Sequence, residues 1–172
     1  MKNTTHSLRA RRFPTGNPSI KQGRRLVVVD IENLAHGAVL TPLQAHLVQD
    51  ELRRSVQLTD DDHVVIGVSH IGALNSWIGW EGPRPRILAR SGQDGADLTL
   101  LEVLSDEHIA ERFDQVVLAS GDGIFTDAIS TLGSAGTQVT VVAWMGHCSK
   151  RLRMAAHQTT LLAPQAQIAG VA

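Results

Sequence analysis

Four short runs of almost unbroken β-branched and aliphatic residues constrain this chain more than anything else in it. They are Leu26–Asp30 (LVVVD), His63–Ser69 (HVVIGVS), Gln115–Ser120 (QVVLAS) and Gln138–Trp144 (QVTVVAW). A strand without polar alternation has no face to offer water, so it belongs in a parallel sheet covered by helices on both sides. Between these runs the period changes to that of a helix. Thr41–Leu58 opens on Thr41-Pro42, an N-cap with Pro at the first helical position, and carries the stripe Leu43, Leu47, Leu52 and Val56. Ile71–Trp80 reads as a short helix, and Arg84–Arg90 as an edge strand, since Pro85 would cost a central strand one of its ladder bonds. Ala96–Phe113 reads as one long helix with Leu100, Leu101, Leu104 and Ile109 on one side. Phe125–Leu132 is a helix that stops near Gly133, Gln138–Trp144 is the last clear strand, and Ser149–His157 is the last clear helix. Strand–helix alternation of this kind predicts an α/β fold of three layers around a central, mostly parallel sheet.

At 172 residues the chain fits one domain with tails: a basic tail over 1–23, a domain over 24–162, and a second tail over 163–172. Residues 1–25 carry seven basic side chains and no acid, which leaves the remainder with 9 basic against 17 acidic residues. A basic arm on an acidic body suits a polyanionic partner, and a solvated tail fits the same composition. Aromatics amount to 3% and Tyr is absent, which argues against a platform of rings for single-stranded bases. The single Cys148 excludes an intramolecular disulfide and suits a reducing compartment, so a cytoplasmic location is expected. No apolar run approaches the roughly 18 residues of a membrane span, so no membrane partner is expected.

Three acids fall where such folds place their sites. Ligands of open α/β sheets bind outside the carboxyl ends of the strands. Asp30 ends the first strand, Asp122 sits two residues past the strand Gln115–Ser120, and Asp97 opens the long helix after Gly95. Each has a bland reading: Asp97 as a helix cap, Asp122 between two glycines as turn chemistry. Asp30 directly after four apolar strand residues has no packing role. Together, three carboxylates at one edge repel unless a cation neutralises them, and oxygen ligands suit Mg²⁺ or Mn²⁺. Asn33 can orient a carboxylate or a bound water, while Glu32 is either a further ligand or a solvent-facing loop acid. Asp127, five residues past Asp122, either faces the same cleft or decorates the first turn of its helix.

The segments Val28-Val29-Asp30-Ile31-Glu32-Asn33-Leu34, Gly95-Ala96-Asp97-Leu98-Thr99-Leu100 and Val117-Leu118-Ala119-Ser120-Gly121-Asp122-Gly123-Ile124-Phe125 together resemble the NYN family of PIN-like domains, which includes LabA-type proteins. The resemblance covers about residues 24–162. It implies a Rossmann-like PIN-type fold and a metal-dependent ribonuclease, a hydrolase acting on RNA, with Asp30, Asp97 and Asp122 as catalytic metal ligands and Ser120 in support. One departure stands out: the family's turn has the form Ser-Gly-Asp-x-Asp-Phe, and its second acid is Ile124 here. Asp127 is the candidate substitute, one helical turn further on. The family's basic residue before the central acid is also missing from Gly92-Gln93-Asp94-Gly95.

Arg24, Arg25, Lys150 and Arg151 are the candidate nucleic-acid contacts. The eight His show no zinc spacing, Cys148 beside His147 is not a nucleophile–base pair on adjacency alone, and Trp77, Trp80 and Trp144 read as core or interface residues. The alternative to hydrolysis is a non-catalytic RNA-binding or regulatory module with a degenerate PIN-like site. A phosphotransferase using Asp30 as nucleophile fits less well, since Glu32 stands where such enzymes place a second Asp. A homodimer is left open.

Overall fold

The computed structural model describes residues 21–92 and 94–163. The chain runs β1 (Arg25–Asp30), α1 (Ile31–Leu34), α2 (Pro42–Val56), β2 (His63–Val68), α3 (His70–Gly79), β3 (Arg86–Ala89), α4 (Gly95–Asp106), α5 (Ile109–Arg112), β4 (Gln115–Ala119), a 3-10 turn (Gly123–Phe125), α6 (Thr126–Ser134), β5 (Gln138–Trp144), α7 (Lys150–Ala155) and β6 (Gln158–Leu162). The six strands form one sheet in the order β3-β2-β1-β4-β5-β6, and every neighbouring pair is parallel.

The apolar runs do what their composition requires. Val27, Val28 and Val29 of β1 are fully buried, with successive side chains entering opposite cores. Val27 and Val29 pack with Leu34, Val48, Leu52 and Trp144 on the α1–α2–α3 face. Val28 packs with Leu100, Leu104, Phe125 and Ile129 on the α4–α6 face. Fully burying each such side chain contributes roughly 1.5–3 kcal/mol, which is why β1 carries no polar residue before its last position.

One glycine sets the distance between α4 and the sheet. A Cβ on Gly67 of β2 would lie 2.6 Å from Leu100 Cγ and 3.0 Å from the Ala96 carbonyl. Gly67 thereby lets the first turn of α4 settle on the end of β2, level with Asp30, its register partner in β1.

Two expectations are corrected. The long helix over 96–113 is two helices, α4 and α5, broken at Glu107–His108, with His108 at φ 52°. No Gly or Pro marks the break; the chain turns there to bury Ile109 and Phe113, while Glu107 is held by Arg86 at 2.6 Å. Gln138–Trp144 is not the last strand either. Gln158–Leu162 adds β6, parallel to β5, and buries Leu162 in the α2-side core. Residues 21–23, expected in the basic tail, are tied to the domain: Lys21 Nζ donates to the Ala110 carbonyl at 3.3 Å, and the Gly23 amide to Asp114 at 2.6 Å. The basic side chains of residues 1–20 and the tail after residue 163 lie outside the described residues. No helix among the described residues is long and apolar enough to cross a membrane.

Candidate functional site: an acid pair at the carboxyl edge

In the strand order 3-2-1-4-5-6 the chain turns outward in opposite directions from β1 and β4, which opens a crevice between their carboxyl ends. Asp30 sits at that crevice, on the last position of β1, and only 5% of it is exposed. Its Oδ1 accepts from the Asn33 amide at 3.2 Å, which caps α1, and its Oδ2 accepts from Ser120 Oγ at 3.0 Å. Asn33 Oδ1 in turn accepts from the Gly121 amide at 3.2 Å, so the loops after β1 and β4 are stitched together around the carboxylate.

Asp97 reaches the same point from the first turn of α4, and the two carboxyl groups lie within hydrogen-bonding reach of one another. Burial, and then the Asp97 charge, push Asp30 up to about 7 against the bonds from Asn33 and Ser120. Asp97 is also raised: burial acts first, offset by the hydrogen bond with Asp30, and the charges of Asp122, Asp94 and Glu32 add to it. Both carboxyls are raised, so the pair retains a proton more readily than two free carboxyls would. Two carboxylates this close cannot both ionise without a cation.

A cleft of about 210 Å³ opens above the pair, lined among others by Asp30, Glu32, Asn33, Arg90, Asp94 and Asp97. Arg90 is committed to Glu102 at 2.9 Å. Glu32 is not a free ligand, since its Oε1 accepts from Ser69 Oγ at 2.5 Å.

The other candidate residues divide. Asp122 is close enough to act on Asp97 by charge, yet its Oδ1 accepts from the Ile124 amide at 2.9 Å and caps its own turn. Ser120, fully buried, joins the two parts: it donates to Asp30 and accepts from the Asp122 amide at 3.2 Å. Asp127 is not brought to the pair. It is 94% exposed and lies 3.8 Å from Arg151. Lys150 and Arg151 stand exposed on α7, whose preceding residue Ser149 is tied by its amide to the Gly121 carbonyl at 2.9 Å. Arg25 begins β1 and Arg24 precedes it, so both sit at the opposite, amino edge, Arg25 roughly 16 Å from Asp30 along the strand. Arg25 is fully engaged there by Asp62 at 2.6 Å and by the carbonyls of Val56 and Gln57.

Hard oxygen donors without a basic partner suit Mg²⁺ or Mn²⁺, and Mg²⁺ in particular is commonly held by one or two carboxylates with water and phosphate oxygens completing the shell. Among the described residues no three His, Cys, Asp or Glu side chains are gathered tightly enough to hold an ion by themselves. The fit is thus that of a two-carboxylate anchor rather than a closed cage. The sequence did not reveal Asp94, which follows from the left-handed turn before α4 (φ 55°), nor the close approach at Gly121, where a Cβ would lie 2.0 Å from the His147 carbonyl.

The fold is similar to that of a protein of unknown function from Vibrio parahaemolyticus, at 19% identity and a TM-score of 0.50 over 88% of this chain and 98% of that one. No curated protein matches the chain. Residues 84–163, from the edge strand β3 through β6 and including Asp97, Ser120 and Asp122, match the family model of the NYN domain, a family of PIN-like nuclease domains.

Proposed function

We propose that the chain is a metal-dependent ribonuclease that hydrolyses RNA phosphodiester bonds at the Asp30–Asp97 pair. The observation that carries this reading is a pair of carboxyl groups, one nearly buried, held at the carboxyl edge beside a cleft whose lining cation, Arg90, is bonded to Glu102 instead. A structural acid in such a position is paired with a cation; a pair left unmatched is a pair kept for a ligand.

Asp30 and Asp97 would hold the ion, with Asp122 contributing charge from across the crevice. When bound, Mg²⁺ or Mn²⁺ supplies a water of lowered pKa and neutralises charge on the phosphoryl oxygens. The chain's own groups do the rest. Asp30 gives up its proton so that both carboxylates can ligate. Ser120 and the Asn33 amide fix the plane of the Asp30 carboxylate, and the Asn33 side chain holds the Gly121 loop against it. Lys150 and Arg151, at the β5 end of the edge, are placed to take neighbouring phosphates. Arg24 and Arg25 have no part in this reading, because the sheet stands between them and the crevice.

One observation favours the alternative of an RNA-binding module without hydrolysis. Asp122 spends a carboxylate oxygen on its own turn, and Ile124 offers no ligand beside it. Incubation of single-stranded RNA with Mn²⁺ separates the two. The nuclease reading expects fragments from the wild type and none from Asp97→Asn. Equal fragment yields from both proteins would sink it, and binding without fragments from either would leave the module.

A further inference from the structure

We propose that His36 and His147 form a base-stacking subsite for single-stranded RNA beside the acid pair, an inference that rests on the RNA reading above. The two rings hang from the loops that build the site. His36 follows α1, whose N-cap is Asp30, and its amide donates to the Asn33 carbonyl at 3.4 Å. The carbonyl of His147 presses on Gly121, the residue after the hydroxyl that holds Asp30. The rings meet in space with centroids 5.7 Å apart and planes at 68°, and His36 also stacks on Trp144 at 5.0 Å and 30°.

Three features make this a platform rather than incidental packing. Trp144 is buried and pinned, its indole N–H donating to the Leu34 carbonyl at 2.9 Å, so the ring under His36 is rigid. Both imidazoles are exposed. His36 also occupies a left-handed position (φ 57°) at the end of α1, followed by Gly37 at φ 148°, with the Gly37 amide reaching back to the Glu32 carbonyl at 2.9 Å. Gly or Asn is the ordinary occupant of such a position, and a larger residue there costs on the order of 1 kcal/mol. At this position the strained backbone carries an imidazole that lies over the indole.

The location suits a nucleic-acid strand. The pair lies toward β5, two strands from β1 and about 10 Å across the sheet edge. A strand whose reacting phosphate sits at Asp30 and Asp97 can place an adjacent base on the rings and its next phosphates against Lys150 and Arg151. Stacking needs no base identity, so the subsite favours unpaired RNA over duplex without selecting sequence.

The test uses the full chain carrying Asp97→Asn, which lowers the negative charge of the edge and blocks the proposed cleavage. A single-stranded RNA containing 2-aminopurine, and its abasic counterpart, are titrated against this protein and against versions with His36→Asn, His147→Ala or His147→Phe added. His36→Asn tolerates the left-handed backbone, and His147→Phe restores a ring. The expected result is a loss of affinity of at least about fivefold for His36→Asn and His147→Ala, with loss of 2-aminopurine quenching. His147→Phe should bind as the parent does, and the abasic RNA should ignore all three changes. Unchanged affinity in the ring-removing variants, an equal loss with abasic RNA, or no RNA binding by the parent overturns the subsite. Cleavage by the otherwise unaltered chain is scored separately. Ring-dependent binding without cleavage defeats the nuclease reading and keeps the subsite, whereas cleavage by the chain together with ring-independent binding does the reverse.

Discussion

The two edges of the same sheet treat buried carboxylates in opposite ways. At the amino edge Asp62, its side chain 5% exposed, receives both Nε and Nη2 of Arg25 at 2.7 and 2.6 Å and the Thr59 amide at 2.8 Å. Burial alone would raise the Asp62 carboxyl, yet the bonds from Arg25 and Thr59 and the Arg25 charge outweigh it and hold it below the usual range. At the carboxyl edge Asp30 is more deeply enclosed, but its nearest ionisable neighbour is another acid, and its carboxyl is pushed up to about 7. One edge uses charge to close the fold. The other leaves charge unmatched, and an unmatched acid near the surface of a crevice is where a cation gains most by binding.

Breaking the closed edge should produce the largest effect. Arg25→Met strands the Asp62 carboxylate and leaves the Val56 and Gln57 carbonyls short of a donor, so it should lower unfolding free energy by about 3 kcal/mol, read by urea denaturation at neutral pH. A loss under about 1 kcal/mol would mean that water replaces the guanidinium and that the two edges differ less than their geometry implies.

Titration should sharpen the contrast, because the two edges carry opposite signs. Asp62 is lowered in the folded state, so its contribution is present at neutral pH and lost as pH falls through its folded value. Asp30 is raised, so the folded state holds a proton that the unfolded state has released. Its contribution is complete below about 4, the unfolded value, and lost as pH rises through about 7. In metal-free buffer the wild type should therefore lose on the order of 2 kcal/mol between pH 5 and 8, and Asp30→Asn should flatten that slope and be the more stable protein at pH 8. A parallel slope in both proteins would show the pair to be adequately solvated.

Smaller effects follow from the groups around the pair. Ser120→Ala removes the hydroxyl that donates to Asp30 and accepts from Asp122, so stability at pH 8 should fall by about 1 kcal/mol and the Asp30 titration should move upward. The smallest effect belongs to Asp127. Exposed and facing Arg151, it should yield to Ala with less than about 0.5 kcal/mol of change and no change in Mn²⁺ affinity beyond about twofold. A tenfold loss of affinity would bring Asp127 into the site after all.

Much of this was legible in the chain, and the residues show why. The β-branched runs of β1, β2, β4 and β5 have no amphipathic alternative, so both their existence and the parallel sheet could be read directly. Asp30 was equally readable, because an acid ending such a run has nothing to pack against. The break at His108 was hidden because a histidine occupies the left-handed turn where glycine would have announced it. β6 was hidden because Gln158-Thr159-Thr160 looks polar until it is seen at the sheet's edge, with Thr159 and Thr160 half-buried beside β5. Sequence order placed Asp122 and Asp127 near the site alike. Only side-chain direction separates them, since one turns back on the Ile124 amide within charge reach of Asp97 and the other points at α7. The arginines at 24 and 25 read as part of a basic arm, and only the structure turns Arg25 to Asp62 at the amino edge.

In the proposed reading Asp30 and Asp97 form an acid pair completed by a hard divalent cation. Calorimetric titration of Mn²⁺ at pH 6.5, in buffers of different ionisation enthalpy, measures affinity and proton release together. Binding of one ion should release a proton from the pair, because Asp30, raised to about 7, is in good part protonated at that pH and must ionise to ligate. Affinity should rise with pH through about 7, and both signals should disappear in Asp30→Asn and Asp97→Asn. Binding that releases no proton, or that survives both substitutions, would place the cation elsewhere and contradict the account.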